Sequence, residues 1–196
     1  LPFQIKELCS LVISVLKRKV GAFLVDYKIT ELQGFTHQIG HLVSQMEYAR
    51  KTTLEAVNGL TVEELDFLPN KDSNSIGALL LHIAAIEKGF QIEIFDGRTP
   101  NQKEMAEWGD PYNLGEKGRQ NIRGNALDFY ITKLEEVRKR TLREFAKLND
   151  QWLYENRLWD NHPSNHYFIW FHVFEDEINH RGQIRILKKM LSVRSN

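Results

Sequence analysis

Apolar residues recur at intervals of three and four through four long segments of the chain, and this period is what most restricts its fold. The first segment carries Phe35, Ile39, Leu42, Val43, Met46, Ala49 and Val57 and stops at Gly59. The second carries Ile76, Leu79, Leu80, Ile83, Ile86, Phe90 and Ile94 and stops at Gly97. The third, over 125–148, carries Leu127, Tyr130, Leu134, Val137, Leu142 and Phe145; the fourth runs from about Tyr167 to about Leu191. Each pattern predicts a helix with one buried stripe, and a helix can bury its stripe only against another element. A helix of about 24 residues spans roughly 36 Å, so four of them make a bundle with a deep interior. There is no convincing run of alternating strands, no repeat and no low-complexity tract. The expected fold class is all-α.

The connections are expected to be irregular. "LTVEEL" at 60–65 places Thr61 as an N-cap with Glu64 three residues on, a capping box for a short turn closed by Pro69. Residues 97–123 are rich in Gly, Pro, Asn and charge and predict a long crossover loop anchored by Trp108 and Tyr112. Residues 149–165, with Trp152, Trp159, His162 and Pro163, predict a second irregular link. Residues 3–25 predict an additional apolar helix, packed on the bundle or on another subunit. The chain of 196 residues thus divides into an extension, 1–26, and one domain, 27–196.

Composition narrows the function. With 42% apolar and 27% charged residues the chain has an ordinary globular makeup. Lys+Arg and Asp+Glu are both 26, so no net field attracts nucleic acid. The longest apolar tract, "LCSLVISVL" at 8–16, is too short to span a membrane. A single cysteine, Cys9, rules out a disulfide framework within one chain and predicts a reducing, cytoplasmic setting. No P-loop, G-x-S-x-G, C-x-x-C or G-x-G-x-x-G is present to support a nucleotide fold or a triad hydrolase.

Polar residues interrupt two of the apolar stripes. In "FEDEINHRGQI", Asp176 and His180 lie four apart on the line that carries Val173, Ile184 and Leu187. Such a pair stacks on one helix face with about 5–6 Å between Cβ atoms, close enough to grip one ion. In "GALLLHIAAIE", His82 sits between Leu79 and Ile86 at helical spacing. A third ligand from a second helix completes three protein ligands and leaves a position open, as in catalytic zinc sites. A divalent metal bound by His82, Asp176 and His180 is the sharp reading; a satisfied core histidine and a plain Asp–His hydrogen bond are the bland one. Glu177-x-x-His180 has the spacing of half a di-iron site, but no second Glu-x-x-His exists. His37 and His41 predict a solvent-facing pair. His172 lies two turns, roughly 12 Å, from His180 and predicts an interior histidine or a pocket group. "VRKRTLR" at 137–143 predicts the wet side of its helix.

"SIGALLLHIAAIEKGFQIEIFDG" and "YFIWFHVFEDEINHRGQIRILKKML" resemble the two signature segments of the DinB-like superfamily of metal-binding four-helix bundles. "QMEYARKTTLEAVNGLTVEELDF" is similar to its first helix and following turn. The resemblance covers about residues 34–191, and the tetrad from His180 to Gln183 is its most specific piece. It implies an up-down-down-up bundle with a long crossover after the second helix. It also implies a metal, often zinc or nickel, held by one histidine on the second helix and a pair four apart on the fourth. His82 and His180 match; Asp176 stands where histidine is usual, as in members resembling maleylpyruvate isomerases.

Several members of that superfamily resemble S-transferases of low-molecular-weight thiols such as bacillithiol or mycothiol. The resemblance therefore implies a small-molecule substrate, a detoxification or stress role and a homodimer. A bound cation favours the thiolate, which is the nucleophile. The same open position suits a hydrolase through metal-bound water with a pKa near 7. An anionic ligand leaves the cation less positive and favours manganese or iron relative to zinc-thiolate work. The competing class is a non-catalytic stress protein that binds a metal or small ligand. Arg181 and Gln183 are candidate supports for the ligands, and Gly182 predicts the close approach of another helix.

Overall fold

The computed structural model describes residues 27–194. The helix expected over 3–25, and with it the extension 1–26, lies outside these residues. In chain order the elements are α1 (His37–Val57), α2 (Val62–Leu65), α3 (Ile76–Phe90), α4 (Gln102–Asn113), α5 (Gly115–Asn121), α6 (Leu127–Phe145), α7 (Asp150–Leu153), strands β1 (Asn156–Trp159) and β2 (His162–Asn165), and α8 (His166–Arg194). The long helices α1, α3, α6 and α8 form the bundle.

Local chemistry starts these helices where the sequence predicts. Thr61 and Glu64 form the expected capping box of α2. Ser75 accepts from the Ala78 amide at 3.1 Å and caps α3. A widened π turn, Gln91–Phe95, carries α3 on toward Gly97. The start of α1 is capped from afar: an Asp150 carboxylate oxygen in α7 accepts from the amides of Gln38 and Ile39 at 2.9 and 3.2 Å.

The directions of the four helices follow from their side-chain register. Gly77 meets Tyr130, and Gln91 donates to Thr141, so α3 and α6 run parallel. Arg181 reaches Ala49 and Thr52, and Lys188 reaches Ala56, so α8 runs parallel to α1. Arg50 reaches the Leu134 carbonyl and Arg138 that of Met46, so α1 and α6 run antiparallel. The fold is all-α, up-down-down-up.

Both links hold more order than their composition suggests. The expected crossover loop contains α4 and α5; Asn101 and Glu104 form a capping box in the unremarked "NQKE". The second link contains α7 and a hairpin in which Asn156 pairs with Asn165 and Trp159 with His162. Asp160 and Asn161 both take left-handed φ, 47° and 63°, as a two-residue hairpin turn requires. Strands of four residues are too short to show alternation, so the sequence reading of no strands is corrected here.

A layer of four charges divides the core. Each bundle helix supplies one: Arg50, Glu87, Arg138 and Glu177, all buried, the two carboxylates with no exposure. Arg50 donates through Nε to Glu177 at 2.9 Å and through Nη2 to Glu87 at 3.2 Å. Arg138 donates through Nε to Glu87 at 2.8 Å and through Nη2 to Glu177 at 3.4 Å. The Thr141 hydroxyl donates to Glu87 at 2.7 Å. On one side lies an apolar cluster around Leu79, Tyr130, Leu134 and Ile184; on the other, one around Ile39, Phe145 and Trp170. Arg138 belongs to the tract expected to face water. That expectation is wrong for this residue, because it repeats at helical spacing with Leu134, Thr141 and Phe145 on the buried stripe. Burial acts to push the Glu87 carboxyl up, but Arg138 and Arg50 beside it hold it below its ordinary value.

Removing one member of this layer strands a buried charge. Arg138→Met should cost about 3–5 kcal/mol in urea unfolding, whereas Arg140→Met, from a solvent-accessible pair with Asp96 at the surface, should cost at most about 1 kcal/mol. Because Glu87 has a folded value below its unfolded one, its contribution is complete above about pH 4.5 and is lost as the pH falls further. The Glu87→Gln protein should show a flatter decline in that acid window.

Candidate metal centre

His82, Asp176 and His180 come together between α3 and α8. One potential ligand atom from each lies within 4.8 Å of the others. Asp176 Oδ1 is 3.3 Å from His180 Nε2, and Asp176 Oδ2 is 3.8 Å from His82 Nε2. The two imidazole rings stand nearly perpendicular, 83° between planes, with centroids 4.7 Å apart. The side chains are 10%, 19% and 13% exposed, enough for a small molecule to reach the group but not for bulk water to solvate it.

The tautomer of His82 is fixed by the crossover. Its Nδ1 lies 2.9 Å from the Pro111 carbonyl oxygen. A carbonyl oxygen only accepts, so Nδ1 carries the proton and Nε2 presents its lone pair toward Asp176. Pro111 lies in the last turn of α4, where carbonyls have no partner within the helix. A neutral imidazole held through its far nitrogen by a carbonyl is the usual support for a metal-ligating histidine. Burial lowers the His82 pKa; the Pro111 carbonyl and Asp176 act against this, and His180 reinforces it. The ring is therefore neutral at neutral pH, as ligation requires.

Two polar atoms of the group are buried without a hydrogen-bond partner: Asp176 Oδ2 and His180 Nδ1. An orphaned carboxylate oxygen facing an imidazole lone pair across 3.8 Å is repulsive without a proton or cation between them. The donor set, two imidazoles and a carboxylate, suits a first-row divalent ion. By donor chemistry and unmet polar atoms, these residues fit such a group.

The neighbouring Glu177 is directed elsewhere. It is engaged by Arg50 and Arg138, which removes the half di-iron reading. His172 sits against Glu175, 3.1 Å away, among Trp159, Phe90 and Phe168, and not with the triad. His37 and His41 pair at the start of α1, with His37 exposed beside Glu31. Arg181 bonds Thr52 and the Ala49 carbonyl, tying α8 to α1 without touching the three candidate ligands. Gln183 is exposed. Cys9 lies outside the described residues. Sequence reasoning missed Pro111 and the role of Tyr112. The Tyr112 ring lies so close to α3 that a Cβ on Gly89 would stand 3.0 Å from it. Burial raises the Tyr112 phenol, and the charges of Glu93 and Asp176 raise it further. The signal was the aromatic–proline pair in a polar stretch.

The family model described as mycothiol-S-transferase matches residues 41–192. No curated protein matches the chain. Among solved structures, a conserved protein of Enterococcus faecalis aligns with TM-score 0.59 at 14% identity, over 76% of this chain and 93% of that one. An uncharacterised protein of Clostridium difficile 630 aligns with TM-score 0.59 at 15% identity, over 77% and 95%. The colibactin self-resistance protein ClbS, solved in complex with a dsDNA, aligns with TM-score 0.57 at 12% identity, over 77% and 95%. At these identities the likeness is one of fold.

Protein purified without a metal-affinity column should carry, or take up on titration, one divalent transition metal per chain. Elemental analysis and calorimetric titration should find that His82→Ala and Asp176→Ala each lose it while His172→Ala retains it. The reverse pattern for Asp176 and His172 would place the site on another face of α8.

Proposed function

The chain belongs to the mycothiol-S-transferase family, and from that membership we propose that it joins a low-molecular-weight thiol to an electrophilic small molecule, at a divalent metal held by His82, Asp176 and His180. The observation that carries this reading is the buried, unsatisfied contact between Asp176 Oδ2 and the His82 lone pair, with His180 a turn away. When bound, the cation supplies positive charge that favours thiolate over thiol.

The remaining work falls to the chain. Pro111 accepts from His82 Nδ1, so the ring cannot flip without losing that bond, and Nε2 stays directed at the group. Asp176 would cancel part of the charge of a bound cation and would leave a site that still attracts an anionic sulfur. The layer of Arg50, Glu87, Arg138 and Glu177 fixes α3 against α8 and so fixes the spacing of the ligands. Tyr112 keeps its proton and gives an aromatic wall next to the group. The sulfur forms the new S–C bond, the thiol proton passes to solvent, and the electrophile's leaving group departs with its electron pair.

A small molecule is the substrate favoured by charge. The equal numbers of acidic and basic residues give no long-range pull on a phosphate backbone, and the dsDNA seen with ClbS concerns that protein. No helix among the described residues is long and apolar enough to cross a membrane.

With monochlorobimane as a model electrophile, turnover should require both a thiol of the mycothiol or bacillithiol class and the metal. Asp176→Ala should reduce it to the uncatalysed rate. Turnover that proceeds without thiol would instead assign hydrolysis to the site.

A further inference from the structure

The hairpin β1–β2 stands beside the first turn of α8, and a depression of about 450 Å³ lies between them, within the range of about 300–1,000 Å³ usual for small-molecule sites. Trp159 and Phe168 give it aromatic surface; Asn156, His162, Ser164 and Asn165 give it polar groups. No carboxylate, ammonium or guanidinium lines it. The walls are held from outside. The Trp159 ring leans on Phe90 of α3, with 5.3 Å between centroids, and stays part-exposed. Asn165 Oδ1 accepts from the Phe168 amide at 2.9 Å, which sets the first turn of α8 against β2. Arg157 of β1 faces Glu93 at 3.7 Å, which ties the hairpin to the π turn at the end of α3, a distortion that helices often carry at functional sites.

The side chains of Asn156 and His162 make no hydrogen bond to another described residue. Exposed polar groups are ordinarily just solvated; what sets these apart is the indole in the same depression. Neutral amides, a hydroxyl and an imidazole around an indole are the chemistry that recognises a sugar or cyclitol. Such a ring presents polarised C–H bonds on one face, which the negative face of the indole attracts, and hydroxyls round its edge, which both donate and accept. An anionic ligand would find no cation here, and a wholly apolar one would leave the polar groups unpaired.

One row of α8 leads from the depression to the candidate centre. Phe168, His172, Asp176 and His180 follow at four-residue steps, and Phe168 precedes Asp176 by a rise of about 12 Å. His172, which takes no part in the triad, fills the step between. Its ring lies 4.8 Å from that of Trp159 and 6.3 Å from that of Phe168, nearly parallel to the latter at 8°. We propose that the depression between the hairpin and α8 binds a neutral polyhydroxylated ring, stacked on Trp159 and hydrogen-bonded by Asn156 and His162, and that this ring is the sugar end of the thiol. The second clause rests on the reading above that a thiol reacts at the triad. A mycothiol-type thiol carries its cysteine on a sugar, and with the sugar in the depression its sulfur-bearing arm has about two turns of α8 to cross, over His172, to Asp176.

Saturation-transfer NMR on the full chain with N-acetylglucosaminyl-inositol, which has no sulfur, tests the site without any turnover. The wild type and the His82→Ala protein should both bind this glycoside with similar Kd. Trp159→Ala and Asn156→Ala should each weaken it about tenfold, and Trp159→Phe, which keeps an aromatic face, should weaken it less. Asn156 is exposed, so its variant tests the site even where loss of the indole disturbs the hairpin. With monochlorobimane as electrophile, the ratio of kcat/KM for mycothiol to that for N-acetylcysteine should fall about tenfold in both alanine variants, through KM. No glycoside binding, or binding that survives both alanine variants, overturns the proposal whatever the triad does. Glycoside binding with an unchanged thiol ratio overturns the assignment to the thiol. Glycoside binding that depends on Trp159, with no thiol reacting at all, overturns the reading of the triad and not the site.

Discussion

The bundle depends on a plane of charge across its middle. Two guanidiniums and two carboxylates, one from each long helix, are removed from water and neutralise one another. Such a layer gains little stability over well-packed apolar residues, but it tolerates no misfit, because a slipped helix leaves a bare charge in the core. An apolar stripe can slide by a turn at modest cost; Arg50, Glu87, Arg138 and Glu177 cannot. The two apolar clusters on either side are thereby held in one register.

That register is what makes the candidate centre possible. His82 lies five residues from Glu87 on α3, and Asp176 is next to Glu177 on α8, so the layer that aligns the carboxylates also aligns the candidate ligands. Adjacent acids on one helix thus serve different ends: Glu177 points into the salt-bridged core, and Asp176 points at two imidazoles along the α3 edge. The crossover contributes the last constraint. Its first helix, α4, carries in its last turn the Pro111 carbonyl that sets the His82 tautomer.

Much of this was legible in the sequence, and the failures share one physical cause. The four long helices announced themselves because burial imposes a period, and the triad did so because polar residues interrupted that period at ligand spacing. The charge layer breaks the same rule less visibly. Glu87 repeats with Ala84 and Gln91, and Arg138 with Leu134 and Thr141, all on buried stripes. A charged residue in a charged run such as "VRKRTLR" looks solvated unless its partner is known, and the partners of Arg138 lie 51 and 39 residues away. The crossover misled for a related reason: α4 and α5 carry few large apolar residues, and α4 owes its order to capping and to contact with α3, while α5 packs on α4. Pro111 acts through a backbone oxygen, which no side-chain pattern reveals.

The central claim is that one cation reconciles the Asp176 carboxylate with two histidine lone pairs. Anomalous diffraction from crystals grown with zinc, nickel or manganese, collected at the absorption edge of the added metal, tests it most directly. The account predicts one strong anomalous peak bonded to His82 Nε2, an Asp176 carboxylate oxygen and a His180 ring nitrogen, with Pro111 still bonded to His82 Nδ1. A metal-soaked crystal with no peak there, or with Asp176 turned away and hydrogen-bonded elsewhere, would contradict it.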